Sequence, residues 1–226
     1  MARPSGHRLI FLMSLLLLAF QSAVQAQIGE ETEPVVGLPC EGCEGVFEGL
    51  PEVLESVRRL APEDEPGEPM RIRGTVYDAD GRPAPGVIVY AYHTNAQGVY
   101  PPGAGAQGWT RRHGRLRGWV ITDHQGRYGF ETIRPSSHPD SEIPAHVHMH
   151  IIEVGCCTYF IDDIQFEDDP RLTEQERSES NRARGGSGLV APERGPDGAW
   201  QVTRDIRLGE HIPGYEAGRG AGSPQP

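Results

Sequence analysis

Pro144-Ala145-His146-Val147-His148-Met149-His150 carries imidazoles at alternate positions. In a β-strand this spacing puts His146, His148 and His150 on one face, and Ala145, Val147, Met149 and Ile151 on the other. The second face is an ordinary core face; the first has the composition of a metal site. Residues two apart lie roughly 6.6 Å from each other along a strand, so neighbouring imidazoles can converge on one ion through bonds of about 2 Å. His146 and His150 are twice as far apart. His146 and His148 are therefore the candidate ligand pair, with His150 behind them or at the surface. A solvated histidine strand would show the same pattern, so further donors are needed. His138 lies eight residues upstream of His146, across a loop containing Pro139. Tyr100 lies in a second loop, Asn95-Ala96-Gln97-Gly98-Val99-Tyr100-Pro101-Pro102. As a phenolate it is a hard anionic donor suited to ferric iron.

These side chains need a scaffold, and the chain offers short strands. Its 226 residues suffice for one sizeable domain with extensions. With 32 acidic and 21 basic side chains its net charge is -11, which argues against nucleic acid as a partner. The 29 glycines and 20 prolines suit strands joined by turns. Residues 1–26 have the pattern of a signal peptide: Arg3 and Arg8, an apolar run from Leu9 to Phe20, then Val24-Gln25-Ala26. The run is short for a membrane span, so a secreted or periplasmic protein is expected, free of the membrane after cleavage. In that oxidising setting Cys40, Cys43, Cys156 and Cys157 read as structural disulfides with connectivity open. Cys40-Glu41-Gly42-Cys43 also fits a redox pair or half a zinc site. Residues 27–69 form an acidic extension, with a short helix expected from Val53, Leu54, Val57 and Leu60 at helical spacing. Glu63 to Pro69 reads as a linker. Period-two runs follow at Arg71–Tyr77, Val87–His93, Leu116–Thr122, Arg127–Ile133, 145–154, Cys157–Ile161 and Trp200–Ile206, separated by turns such as Asp78-Ala79-Asp80-Gly81. An all-β fold, an antiparallel β-sandwich over residues 70–215, is expected, with a frayed tail over 216–226. Thr94–Gly114 and Arg134–Pro144 are long loops, a usual location for function. Thr173–Gly188 reads as a surface excursion. Asp162-Asp163 and Glu167-Asp168-Asp169 lack calcium-loop spacing and read as solvated charge.

Four motifs in order resemble the intradiol ring-cleavage dioxygenases. They are Gly74-Thr75-Val76-Tyr77-Asp78-Ala79-Asp80-Gly81-Arg82-Pro83, then Gly98-Val99-Tyr100, then Thr122 to Pro135, then Pro144-Ala145-His146-Val147-His148. Tyr92-His93-Thr94-Asn95 and Arg112 to Trp119 resemble a secreted branch of that family. The resemblance implies a β-sandwich and a mononuclear non-haem Fe(III) on two tyrosines and two histidines. It also implies a catechol-like aromatic substrate and O₂ as co-substrate, with ring cleavage to a muconate-type diacid. Tyr100 matches the first tyrosinate, and His146 and His148 match the histidine ligands. At the second tyrosinate position, which leaves the metal and takes a substrate proton, this chain has His138. Tyr100 and His138 are accordingly the expected catalytic pair, and Tyr100, His138, His146 and His148 the metal ligands. A three-histidine, one-tyrosine set would also accept Zn or Cu. The arginine that precedes the Pro-Ala-His segment in the family is replaced by Ile143. His113 and Arg117, within a basic stretch, are the candidates to hold an anionic substrate in its place. The rival expectation, motivated by His138 and Ile143, is a β-sandwich module that binds a metal or a partner and has lost ring cleavage.

Overall fold

A computed structural model describes residues 34–40, 42–180 and 183–216. The expected signal peptide lies outside the described residues, as does the expected tail beyond Glu216. Among the described residues no helix is long and apolar enough to cross a membrane.

Strict alternation gives strands where it was read. Arg127–Ile133 (β5) carries Tyr128, Phe130 and Thr132 buried along one face. It pairs antiparallel with Pro69–Tyr77 (β2), whose Met70, Ile72 and Val76 point inward. Val57–Arg59 (β1), Trp200–Thr203 (β10), Glu193–Arg194 (β9) and Ile206–Arg207 (β11) complete this sheet, in the order β1-β5-β2-β10-β9 with β11 also on β2. The second sheet runs β4-β3-β6-β7-β8. Its strands are Ile88–His93 (β3), Arg117–Ile121 (β4), His146–Glu153 (β6), Cys157–Phe166 (β7) and Leu189–Val190 (β8). The central ladders β2/β5, β4/β3, β3/β6 and β6/β7 are antiparallel. The short strands β1, β8, β10 and β11 join them in parallel. Between the sheets Ile72, Phe130, Val89, Val147, Met149, Ile151, Ile161 and Ile164 are each 0% exposed and form one core.

The helix expected within Leu50–Leu60 is absent. The segment is extended: Gly129 N–H donates to Ser56 O, Leu60 N–H to Glu131 O and Ile121 N–H to Glu55 O. Its backbone thus bridges β4 and β5, and docking on two strands outweighs a weak helical periodicity. The helical turn of this region is Cys43–Val46, a 3-10 turn. Val46, Phe47, Leu50 and Leu54 cover the outer face of the second sheet at Ile88, Tyr90, Trp119 and Ile152. Two short helices lie in loops where none was expected, Gly108–His113 (α1) and Glu174–Glu179 (α2), the latter opened by a Thr173/Glu176 capping box. The cysteines pair locally, Cys40 with Cys43 and Cys156 with Cys157.

One irregularity positions the site. Met149 pairs with Ile161 but Val147 with Ile164, so Asp162 and Asp163 together oppose the single residue His148. This β-bulge keeps Ile161 and Ile164 in the core while turning aspartate toward the imidazole face of β6.

Candidate metal centre

β6 presents His146, His148 and His150 outward, with Val147, Met149 and Ile151 fully buried behind them. Tyr100 arrives from the long loop after β3. Asn95 Oδ1 accepts from the N–H groups of Gln97 (3.0 Å) and Val99 (3.1 Å), which folds the loop tightly. Gly98 sits at φ +73, where an added Cβ would lie 2.0 Å from the carbonyl oxygen of Ser137. Only glycine allows this approach of the two long loops. The result places Tyr100 Oη 2.9 Å from His148 Nε2, and His148 Nε2 3.1 Å from His146 Nε2.

Hydrogen bonding at the far side of each ring fixes its tautomer. His146 Nδ1 is 2.8 Å from the carbonyl of Pro144, which can only accept, so this nitrogen carries the proton. His148 Nδ1 is 3.1 Å from the Asp163 carboxylate and must likewise donate. Burial pushes the Asp163 carboxyl upward, but the positive potential of His148 and the hydrogen bond to it, with His146 and His150, bring it below its ordinary value. It is therefore ionised, an acceptor only. With both rings neutral, as metal ligands must be, the two Nε2 atoms present their lone pairs toward the same point. Burial, then His148, also holds His146 below the ordinary imidazole range, so it stays neutral, as a ligand must. Two donors at right angles on one ion, each about 2.1 Å from it, would be about 3 Å apart, which matches both separations. Burial first, and Asp163 second, raise the Tyr100 phenol above its usual value. A phenolate there needs a cation. The three donors Tyr100, His146 and His148 thus fit a metal ion, with Asp163 orienting His148 from behind.

The other expected site residues are not in this donor group. His138 is exposed, with Nδ1 2.9 Å from the carbonyl of Pro139. It does not join the group His146, His148 and Asp163, whose donor atoms lie within 4.8 Å of one another. His113 is 3% exposed and accepts at Nδ1 from the Tyr90 hydroxyl at 2.8 Å. Its ring stacks on Tyr92 at 4.0 Å, and Tyr92 in turn stacks on His148 at 4.4 Å. Arg117 donates to the carbonyls of Gly45 (3.3 Å) and Glu48 (2.7 Å) and to the Tyr90 hydroxyl. These two side chains hold the N-terminal arm on the sheet. His150 is 4% exposed and meets Cys43 rather than the donor group. Ile143 is 59% exposed.

Asp163, which composition concealed in an acidic run, joins His146 and His148 in one donor group. The signal was present: two aspartates interrupt an apolar strand between Ile161 and Ile164, where solvated charge is out of place.

A family model described as Dioxygenase matches residues 47–209. A catechol 1,2-dioxygenase of Acinetobacter baylyi is 29% identical over 126 residues, covering 47% of this chain and 39% of that protein. A catechol 1,2-dioxygenase of Candida albicans is 38% identical over 100 residues, covering 37% of this chain and 32% of that protein. The chain therefore spans well under half the length of these curated relatives. Among solved structures, the dioxygenase domain of a dioxygenase–carbohydrate-binding fusion from Streptomyces sp. SirexAA-E is similar with a TM-score of 0.52 at 19% identity. It covers 77% of this chain and 97% of that one, a likeness of fold. With a family match across most of the sandwich, the chain belongs to the intradiol ring-cleavage dioxygenases.

Proposed function

We propose that this protein is a secreted, Fe(III)-dependent intradiol-type dioxygenase that inserts O₂ into, and cleaves, the ring of a catechol-like aromatic. The observation that carries the reading is the convergence of three donor atoms, His148 Nε2 lying 3.1 Å from His146 Nε2 and 2.9 Å from the Tyr100 hydroxyl. A phenolate with two neutral imidazoles suits a ferric ion better than a soft one. Ferric iron, when bound, supplies a Lewis-acid centre that a catechol can chelate and that makes its ring electron-poor toward O₂. Tyr100 gives up its phenolic proton to become the anionic donor. Asp163 keeps the proton of His148 on Nδ1, leaving Nε2 free to ligate. His138 is assigned the base role rather than ligation. Its Nδ1 faces a carbonyl and so holds the proton, which leaves Nε2 as the lone pair that accepts a proton from a substrate hydroxyl. The local pairing of all four cysteines supports residence outside the cytoplasm.

A second reading, a metal-binding module without ring cleavage, is favoured by the position of His138 outside the donor group. Iron-loaded protein separates them. The dioxygenase should show a visible tyrosinate-to-iron charge-transfer band, lost in Tyr100→Phe, and should take up O₂ with at least one of a panel of catechols. An iron-replete but colourless protein overturns the ligand set, and a coloured protein that consumes no O₂ leaves the binding module. Elemental analysis of protein isolated from its own compartment decides between iron, zinc and copper.

A further inference from the structure

Cys40, Cys43 and His150 form a donor group distinct from the centre above. The two sulfurs and an imidazole nitrogen lie within 4.8 Å of one another, with Cys43 Sγ 3.7 Å from His150 Nδ1. Cys43 is 2% and His150 4% exposed. Around His150 stand the rings of Tyr90 at 5.8 Å, Tyr92 at 6.1 Å and Phe160 at 6.3 Å. An imidazole set among aromatic rings with a sulfur at its nitrogen is an expensive way to fill a core position.

Non-covalent contacts hold the cysteine loop independently of the disulfide. Arg117 donates to the carbonyls of Gly45 and Glu48, Trp119 Nε1 to Val46 O at 2.7 Å, and Thr110 N–H to the Glu48 carboxylate at 2.9 Å. Gly45 is pressed so closely on α1 that a Cβ there would lie 2.6 Å from His113 Cε1. Upstream, Val36 N–H donates to Thr158 O and Gly37 N–H to Pro213 O, so the chain is held on both sides of the Cys40–Cys43 bond and opening it keeps the two sulfurs near His150.

We infer that reduction of Cys40–Cys43 by a thiol creates a second metal site, in which Cys40, Cys43 and His150 bind one monovalent copper ion. The S–S bond breaks as two thiols of the reductant, both on one molecule in the case of dithiothreitol, join in a disulfide, and their two hydrogens pass to Cys40 and Cys43. Copper uptake then releases both as protons to solvent. Two thiolates and an imidazole are soft donors that select Cu(I). Structural zinc takes four protein ligands, and this group of described residues supplies three. His150 is two residues beyond His148 on the same strand face, so the soft site would adjoin the hard one without sharing a ligand.

The test uses the full chain under anaerobic conditions, untreated or reduced with dithiothreitol and then freed of it. Cu(I) is titrated against the chromophoric chelator bicinchoninate. The expected result is one more equivalent of Cu(I) held by the reduced protein than by the untreated one. X-ray absorption should show two sulfurs and one nitrogen at copper, the nitrogen lost in His150→Ala. Cys40→Ser, at a half-buried position, should abolish the extra equivalent with an unchanged circular dichroism spectrum. Equal uptake by reduced and untreated protein, or a copper shell without sulfur, overturns the inference.

Discussion

Asp163 acts on the proposed metal through His148, by holding a proton on the ring nitrogen that faces away from the donor group. Replacing it with asparagine keeps the shape and a carbonyl acceptor but removes the negative charge that raises the ligand's basicity. Asp163→Asn should lower metal affinity by about 10- to 100-fold, with Asp163→Ala lower still, as measured by competition with a chelator; unchanged affinity in both would remove the residue from the site. At this scale the sequence disclosed His146, His148 and Tyr100, because alternation and one loop tyrosine are local signals. It left out the structural partners of His113 and Arg117. A basic stretch looks like a substrate clamp until the backbone carbonyls that its side chains serve, more than sixty residues away at Gly45 and Glu48, come into view. His138 differs again: its sequence position predicts ligation, and its ring stands outside the group of His146, His148 and Asp163.

The N-terminal arm, residues 42–60, shows how one element can be misread while its neighbours are not. β5 has the bounds that alternation gave, Arg127–Ile133, because one of its faces is buried along its length. The arm has apolar residues at helical spacing, yet they are shared between the outer-face cluster (Leu54) and the edge of β5 (Val57–Arg59). Periodicity cannot announce a segment that packs on two surfaces. Arg117 is the clamp on this arm, with its guanidinium also 5.1 Å above the Trp119 ring. Arg117→Ala should destabilise the fold by roughly 2–3 kcal/mol and speed amide exchange in residues 43–50, leaving KM for a catechol unchanged. A raised KM at undiminished stability would return Arg117 to the substrate.

Taken as one body, the sandwich keeps neutral imidazoles where water does not reach. His93 is 0% exposed, bonded to Thr94 O and Thr132 Oγ1 at 2.7 Å each, and burial holds it down to about 4. Burial, then Arg117, holds His113 down to about 4 as well. In the unfolded chain both would titrate near 6.5. Between these values unfolding takes up protons, so this part of the stability is whole above about pH 6.5 and is lost as pH falls toward 4. The loss is on the order of 3 kcal/mol for each imidazole. Urea midpoints at pH 7.5 and pH 5 should therefore fall with acidity, and His93→Gln should flatten the slope; equal midpoints would contradict the buried neutral state. The sulfur bridges behave differently, for they link residues only three and one positions apart. A bridge that closes so small a ring takes little freedom from the unfolded chain, about 1–2 kcal/mol against nearly 5 for a ring of a hundred residues. The two sheets must therefore cohere by their own packing. A molecule built this way can pass from an oxidising to a reducing milieu with its architecture intact, and only the local chemistry of its thiols changes.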